Sequence, residues 1–183
     1  LDMISYQQEF ETARRQLESA GHSFIEVDLP NLEHSVPVYY VLASAEASTN
    51  LARYDGVRFG HRCSEPRSLE DLYKRSRGEG FGEEVKRRIL TGTYTLSVGY
   101  FEDYYVKAQK IRRKIFDDFA ATFSKVDAIM LPTTPDTAFK LGALDDDPIS
   151  MYQQDLFTVP ASLAGIPALS VPCGFHNDLP VGL

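Results

Sequence analysis

The sequence predicts an α/β protein whose sheet is incomplete. A helical pattern at residues 6–20 precedes an apolar strand pattern at 23–27, and this alternation is typical of α/β folds. Apolar runs at 127–131 and 168–171 each stop at a proline and predict buried strands. Three short strands among about five helices cannot close a sheet by themselves. We therefore expect the missing strands to come from elsewhere in a longer parent chain.

The first helices are predicted from apolar spacing and from start and stop signals. Residues 6, 10, 13 and 17 share one face of the helix at 6–20. The helix at 36–53 is rich in alanine and serine, which lets another element approach closely. A capping box at 68–71 opens a helix that runs to about Arg77. Glycines then interrupt the chain at 78, 80 and 82.

The later helices follow from the same signals. Residues 83–96 form one predicted helix, and 103–123 form the longest, with an apolar stripe at 108, 111, 115 and 119. Residues 149–163 predict a helix interrupted at Pro160. This helix stops at Gly165, and the tight apolar turn and strand that follow predict burial under a densely packed sheet.

Composition and charge indicate an ordinary globular protein. Hydrophobic residues make up 43% and charged residues 25%, and no apolar run approaches the roughly 20 residues of a membrane helix. A net charge of −7 argues against nucleic-acid binding over the whole surface. Two cysteines, Cys63 and Cys173, cannot form a disulfide framework, which favours a reduced, cytoplasmic setting, or an organellar one in a eukaryote. Neither the cysteines nor the histidines match a metal-ligand spacing. The acidic cluster at 145–147 is expected to be a solvated loop.

A basic stripe on the predicted helix at 103–123 has two interpretations. Its members are Lys107, Lys110, Arg112, Arg113 and Lys114. They could contact the phosphates of a nucleic acid. We favour a solvated helix face balanced by Asp117 and Asp118, because charged faces of long helices usually serve solvation alone.

Five sequence segments carry a resemblance to a known family. They are YYVLASAEASTNLARYDGVRFGHR at 39–62, SRGEGFGEEVKRRI at 76–89, LPTTP at 131–135, DDPISMYQQD at 146–155 and VPASLAGIPALSVPCG at 159–174. In this order they resemble the amidase-signature enzymes, and within them the A subunits of the glutamyl-tRNA(Gln)/aspartyl-tRNA(Asn) amidotransferases. The resemblance covers nearly the whole chain and is weakest at residues 1–30.

The resemblance implies an α/β/α fold, a mixed sheet covered by helices, in a single amidase-signature domain. Residues 1–183 would be the C-terminal portion of that domain, in agreement with a chain that begins without an initiator methionine and ends inside the strand-like run 179–183. The family uses a Ser–Ser–Lys triad on a glycine- and serine-rich segment, which this sequence lacks. The resemblance thus places no catalytic residue in this chain, and we expect the chain alone to be inactive.

The resemblance places glutamine-binding residues at Tyr39, Arg88 and Asp155. Free glutamine is a zwitterion, and the planar fork of an arginine suits its α-carboxylate while a carboxylate suits its α-ammonium group. The alternative for Arg88 and Asp155 is a structural salt bridge, possible even between the two. The alternative for Tyr39 is an ordinary aromatic on a helix face.

The family function implied is that of the glutaminase subunit of a three-subunit complex, whose other members are the amidotransferase subunits B and C. Glutamine hydrolysis would release ammonia for the B subunit, which uses ATP and Mg²⁺ to amidate mischarged tRNA. No cofactor is expected in this chain, and no membrane partner. Two rivals stay open at this point: a stand-alone amide hydrolase of the same superfamily, and a non-catalytic scaffold or interaction module.

Overall fold

The computed structural model describes residues 4–144 and 147–183, and the described chain is mostly helical. The α-helices are α1 Gln7–Ser19, α2 Ser35–Asn50, α3 Leu69–Gly80, α4 Glu83–Thr95, α5 Lys107–Phe123, α6 Pro148–Gln153 and α7 Val159–Ala164. Short 3₁₀ turns lie at Leu32–His34 and Leu51–Arg53, and a π-helical segment, Glu102–Val106, leads into α5. The strands are β1 Pro172–His176 and β2 Leu179–Gly182.

The chain divides into two compact units. The first, which we call the hairpin unit, consists of Leu1–Val36 and Ile111–Leu183. The second, which we call the middle unit, consists of Pro37–Lys110. The expectation that residues 1–183 belong to one amidase-signature domain stays a prediction.

The β-hairpin of the hairpin unit is closed by a two-residue turn. Strands β1 and β2 are antiparallel, with His176 opposite Leu179. The two residues between them, Asn177 and Asp178, have φ of 51° and 62°. Positive φ at both positions is the type I′ geometry whose twist matches the flanking strands, and Asn and Asp tolerate it better than most residues. The strand-like run predicted at 179–183 is thereby confirmed as β2.

A fully buried tyrosine ties the start of the hairpin unit to its end. Tyr6 packs in a cluster with Ile4, Phe10 and Val181. Its hydroxyl donates to the Thr134 carbonyl at 2.6 Å and accepts the Thr134 N–H at 3.3 Å. The buried hydroxyl and the backbone groups of Thr134 therefore satisfy each other, as burial in an apolar cluster requires.

Two helices of the middle unit touch backbone to backbone. A Cβ built on Gly92 of α4 would lie 1.9 Å from the Ser44 carbonyl oxygen of α2. Ser44 and Ala45 are almost completely buried at this crossing. The close approach predicted from the small residues of the second helix is confirmed, and only glycine fits at the contact point on α4.

The strands predicted at 23–27, 127–131 and 168–171 are wrong for this chain. Among the described residues these segments belong to no strand, and the ordered strand begins at Pro172, where the predicted one ended. Leu169 is 83% exposed, so the burial predicted at 168–171 is absent, whereas Met130 of the run at 127–131 packs partly buried against the cluster around Tyr6. An apolar run becomes a strand only when neighbouring backbone takes up its hydrogen bonds.

Two helix boundaries also differ from the sequence-based prediction. Helix α3 continues through Gly78 to Gly80, with Ser68 capping it by accepting the Asp71 N–H. Pro160 lies in the first turn of α7 instead of interrupting a helix, because the first turn needs no N–H at that position. The stop at Gly165 is confirmed: its φ is 70°, and the Ile166 N–H returns to the Ala161 carbonyl at 3.2 Å.

Replacement of Tyr6 by phenylalanine is expected to destabilise the protein by about 1–3 kcal/mol, because it leaves the partly buried backbone groups of Thr134 without their partner. Denaturant unfolding measures the loss. Tyr73→Phe is the matched control, since Tyr73 is among the exposed hydrophobic residues and should change stability by less than about 0.5 kcal/mol. Equal effects of the two variants would contradict this role of Tyr6.

Replacement of Gly92 by alanine is expected to lower the free energy of unfolding by about 1–3 kcal/mol, because α2 and α4 must move apart. Gly78→Ala is the matched control. Gly78 also lies inside a helix but would place its Cβ in open space, so alanine there should stabilise the protein by about 0.5–1 kcal/mol. Thermal or denaturant unfolding measures both changes, and the free energy of unfolding should fall for Gly92→Ala and rise for Gly78→Ala.

Candidate functional site

Arg88 of α4 is held at several points in the middle unit. Its Nε donates to Glu84 Oε1 at 2.9 Å, one helical turn earlier. Its guanidinium lies 5.2 Å from the centre of the Tyr40 ring, a cation–π distance. The Tyr39 hydroxyl is a further hydrogen-bond partner. With 31% of its side chain exposed, Arg88 is ordered by its neighbours yet open to solvent on one side.

Electrostatics keep Arg88 charged. Partial burial acts to lower the pKa of its guanidinium, but the hydrogen bonds to Glu84 and Tyr39 outweigh burial, and the net shift is upward. Arg88 therefore remains a cation throughout the pH range in which the protein is folded. A permanent, oriented cation is the feature needed to bind a carboxylate in two parallel hydrogen bonds.

The crossing of α2 and α4 places Tyr40 and Arg88 together. Ser44 lies one turn after Tyr40 on α2, and Gly92 lies one turn after Arg88 on α4. Residues four apart lie on the same face of a helix, so the backbone contact of Gly92 with Ser44 brings the two preceding positions face to face. The geometry of the predicted site thus follows from a glycine that sequence reasoning did not single out.

The tyrosine pair at the start of α2 is braced internally. The rings of Tyr39 and Tyr40 meet edge to face, with centroids 5.1 Å apart and planes at 84°. Such T-shaped contacts are favourable and hold both rings in place. The structure therefore brings two of the three predicted residues, Tyr39 and Arg88, into one cluster, while their role in binding glutamine stays a prediction.

Asp155 belongs to the hairpin unit. It lies in the turn after α6, where its N–H donates to the Tyr152 carbonyl at 3.2 Å. Its own carbonyl accepts the Val159 N–H at 3.1 Å and so leads into α7. The backbone of the half-buried Asp155 is thereby fixed in a structured turn, and the pairing of its side chain with a ligand stays a prediction.

Sequence reasoning missed Glu84 and Tyr40. Both had a local signal: Glu84 precedes Arg88 by four residues, the spacing of a helical ion pair, and Tyr40 is next to Tyr39. Glu84 also pairs with Arg87, so its two oxygens serve two guanidinium groups. Which of these contacts form depends on side-chain rotamers that the sequence does not reveal.

His61, in the matched segment at 39–62, has a partner. Its Nε2 lies 2.9 Å from Glu79 Oε2, and the other oxygen of Glu79 accepts from Arg75 Nε at 3.1 Å. Glu79 thereby joins the loop before α3 to α3 itself.

Across residues 4–144 and 147–183, no group of three or more His, Cys, Asp or Glu side chains could hold a metal ion. No helix in the described part of the chain is long and apolar enough to cross a membrane.

The basic stripe on α5 is only partly a solvated face. Arg113 pairs with Asp117 at 2.9 Å, as a balanced face predicts. Arg112 instead donates to the Leu163 carbonyl at 2.8 Å, and Asp118 accepts from the backbone and side chain of Asn31. Two of the charged groups therefore tie α5 to other segments of the hairpin unit. In the acidic cluster, Asp147 caps α6, while Asp145 and Asp146 lie outside the described residues.

Comparison with known proteins identifies the family. A family model described as Amidase matches residues 4–183, which is nearly the whole chain. The chain belongs to the Amidase family. Among curated relatives, the A subunit of glutamyl-tRNA(Gln) amidotransferase from Hahella chejuensis is 64% identical over 166 residues, covering 91% of this chain and 34% of that protein. The equivalent protein of Alcanivorax borkumensis is 62% identical over 170 residues, covering 93% and 35%. This Amidase-family chain thus spans about a third of the length of these relatives.

Solved structures of the family agree with the fold. The crystal structure of the A subunit of glutamyl-tRNA(Gln) amidotransferase from Thermotoga maritima is 45% identical, with a TM-score of 0.68, and the match covers 96% of this chain and 33% of that one. A crystal structure of an amidase at 23% identity has a TM-score of 0.71 and covers 98% and 37%, which supports the fold alone. The predicted amidase-signature fold class is confirmed, with a two-stranded sheet as the part of it that the described residues form.

Replacement of Glu79 by glutamine tests the junction between the loop and α3. The hydrogen bond from His61 and then the charge of Arg75 lower the pKa of the Glu79 carboxyl below its ordinary 4.5. A lowered pKa in the folded state stabilises the fold above pH 4.5, and this stability is lost as the pH falls through the folded-state pKa. Glu79→Gln should therefore lower Tm at pH 7, and the difference from the unmodified protein should shrink steadily below pH 4.5.

Glu70→Gln is the control for that titration. Glu70 pairs with Lys74, and both side chains are 75% exposed, so its removal should leave Tm nearly unchanged at every pH. A pH-independent Tm difference for Glu79→Gln would contradict the titration argument.

Proposed function

We propose that the chain is part of the glutaminase subunit of a tRNA-dependent amidotransferase and supplies the residues that hold glutamine. The observation that carries this proposal is the Arg88 cluster, an oriented and permanently charged guanidinium braced by Glu84, Tyr39 and Tyr40. The relatives named as the A subunit of glutamyl-tRNA(Gln) amidotransferase, at more than half identity over most of the chain, support it from outside the structure.

The chemistry of the cluster fits one end of a free amino acid. A guanidinium binds both oxygens of a carboxylate, and the bond is strong when water is partly excluded. Arg88 would bind the α-carboxylate of glutamine, Tyr39 would add a hydrogen bond, and Asp155 would pair with the α-ammonium group. An amide substrate without these charges has no use for such a clamp, which is why we favour glutamine over an uncharged amide.

The hydrolytic groups would come from the part of the relatives that this chain does not span. In the family pattern, a serine activated by the Ser–Ser–Lys arrangement attacks the side-chain amide, forms an acyl-enzyme and releases ammonia. The Arg88 cluster and Asp155 would bind and orient the substrate, and the chain alone would be inactive. When the α-carboxylate and α-ammonium groups of glutamine are held, the side-chain amide is positioned for attack by the serine, and this orientation accelerates the reaction.

The released ammonia would pass to a partner. We propose a cytoplasmic heterotrimer with subunits B and C, in which the B subunit uses ATP and Mg²⁺ to amidate mischarged Glu-tRNA(Gln) or Asp-tRNA(Asn). The complex is then a ligase of protein biosynthesis with glutamine as the amide donor. The names of the bacterial relatives support this assignment, since each is a lettered subunit of an amidotransferase acting with tRNA.

Replacement of Arg88 by alanine in the full-length protein, assembled with its partner subunits, is the direct test. Loss of charge-assisted hydrogen bonds to the substrate carboxylate should raise KM for glutamine about 10- to 100-fold. Affinity for tRNA should not change. Arg88→Lys keeps the charge but loses the planar fork, so its KM for glutamine should lie between those of the unmodified protein and Arg88→Ala. Kinetics of glutamine hydrolysis supply the measurement.

Arg113→Ala is the matched control. Arg113 of α5 also pairs with a carboxylate one turn away and lies over an aromatic ring, that of Phe116, but 72% of its side chain is exposed. Its removal should change KM for glutamine less than about threefold, roughly the energy of a surface ion pair. An unchanged KM for Arg88→Ala, or hydrolysis of other amides in preference to glutamine, would overturn the proposal.

A further inference from the structure

We propose that Glu84 and Tyr40 are positioning residues that aim the Nη edge of Arg88 at a substrate carboxylate. This inference rests on the proposed function, because it takes Arg88 as the carboxylate-binding residue. It assigns new roles to two side chains that lie in contact with Arg88 in the middle unit.

The Glu84 contact selects one edge of the guanidinium. Arginine can present two N–H groups to a carboxylate either from Nε and one Nη or from its two Nη atoms. The Nε–H of Arg88 is taken up by Glu84 Oε1 at 2.9 Å. The Nη atoms carry four N–H groups, and the Tyr39 hydroxyl has room to accept at most two of them. A ligand carboxylate therefore meets the Nη edge.

The charge of Glu84 is divided, which preserves the attraction for an anion. Its Oε1 bonds Arg88 and its Oε2 bonds Arg87, at helical spacings of four and three residues. One carboxylate opposite two guanidinium groups leaves one net positive charge at the cluster. A Glu84 paired with Arg88 alone would have neutralised the charge that a carboxylate needs, so Arg87 serves as the second counter-charge.

The Tyr40 ring fixes the plane of the guanidinium. The Arg88 Cζ lies over the Tyr40 ring, 5.2 Å from its centroid, so the ring shields that side of the cation from water. The edge-to-face contact with Tyr39 keeps the Tyr40 ring from turning. Glu84 holds the Nε side of the Arg88 guanidinium, and Tyr40 restrains the tilt of the guanidinium plane. Together they leave one orientation for the Nη edge.

A set of four variants tests the Glu84 role in the full-length protein assembled with its partner subunits. Glu84→Gln removes the charge but keeps an oxygen that accepts the Nε–H, while Glu84→Ala removes both. The loss of charge alone raises the local positive potential in both variants equally. We therefore expect KM for glutamine to be about tenfold higher for Glu84→Ala than for Glu84→Gln, with kcat within about twofold of the unmodified protein. Arg88→Ala serves as the reference, and Glu83→Ala as the control, since Glu83 is 86% exposed and pairs with Lys86.

Two variants test the Tyr40 role in the same assay. Tyr40→Phe keeps the ring and should leave KM within about twofold. Tyr40→Leu keeps apolar bulk without the ring, and KM for glutamine should rise about 3- to 10-fold with kcat unchanged. Thermal unfolding of each variant is measured alongside, because a purely structural contact would lower Tm without moving KM.

The outcomes separate this inference from the proposed function. If Arg88→Ala raises KM while Glu84→Ala matches Glu84→Gln, the function stands and the Glu84 role is overturned. If Tyr40→Leu leaves KM unchanged, the Tyr40 role is overturned in the same way. If Arg88→Ala itself has no effect on glutamine kinetics, the proposed function is overturned and this inference falls with it.

Discussion

The contact of Gly92 with the Ser44 carbonyl is the constraint on which the middle unit depends. Two helix backbones meet there at a distance that any side chain on Gly92 would prevent. One turn away on each helix, the same crossing places Arg88 over the Tyr40 ring. The absence of a Cβ at Gly92 therefore allows the helix contact that also positions Tyr40 and Arg88. Their relative position is set by the packing of the two backbones rather than by flexible side chains.

The Arg88 cluster solves a general problem of anion recognition. A cation must be rigid to be selective, yet every anion used to hold it also weakens its attraction for the ligand. Here rigidity comes from one shared carboxylate, one neutral hydroxyl and one aromatic face, so a net positive charge survives. Neutral partners restrain the Arg88 side chain without cancelling its charge, so the cluster stays ordered and still attracts an anionic ligand.

The limits of sequence-based prediction follow from which interactions are local. Helix α4 and the cap at Ser68 were predictable because spacing and capping act within a few residues. The run at 168–171 was misjudged because a strand requires hydrogen-bond partners elsewhere, and within the described part of the chain only Val171 has a backbone partner there, Leu183. The resemblance placed Tyr39 and Arg88, but the role of Gly92 depended on a contact between residues far apart in sequence, which no local pattern encodes.

The order in which the two units can form follows from the Tyr6–Thr134 contact. This contact and the packing of Tyr6 on Val181 join residues separated by more than a hundred positions, so the hairpin unit can close only after β2 has been synthesised. The middle unit is continuous in sequence and ends at residue 110. On the ribosome, a chain of low contact order folds early and one that joins distant segments folds late. The cluster around Arg88 is therefore expected to be assembled before the unit that carries Asp155 has a core.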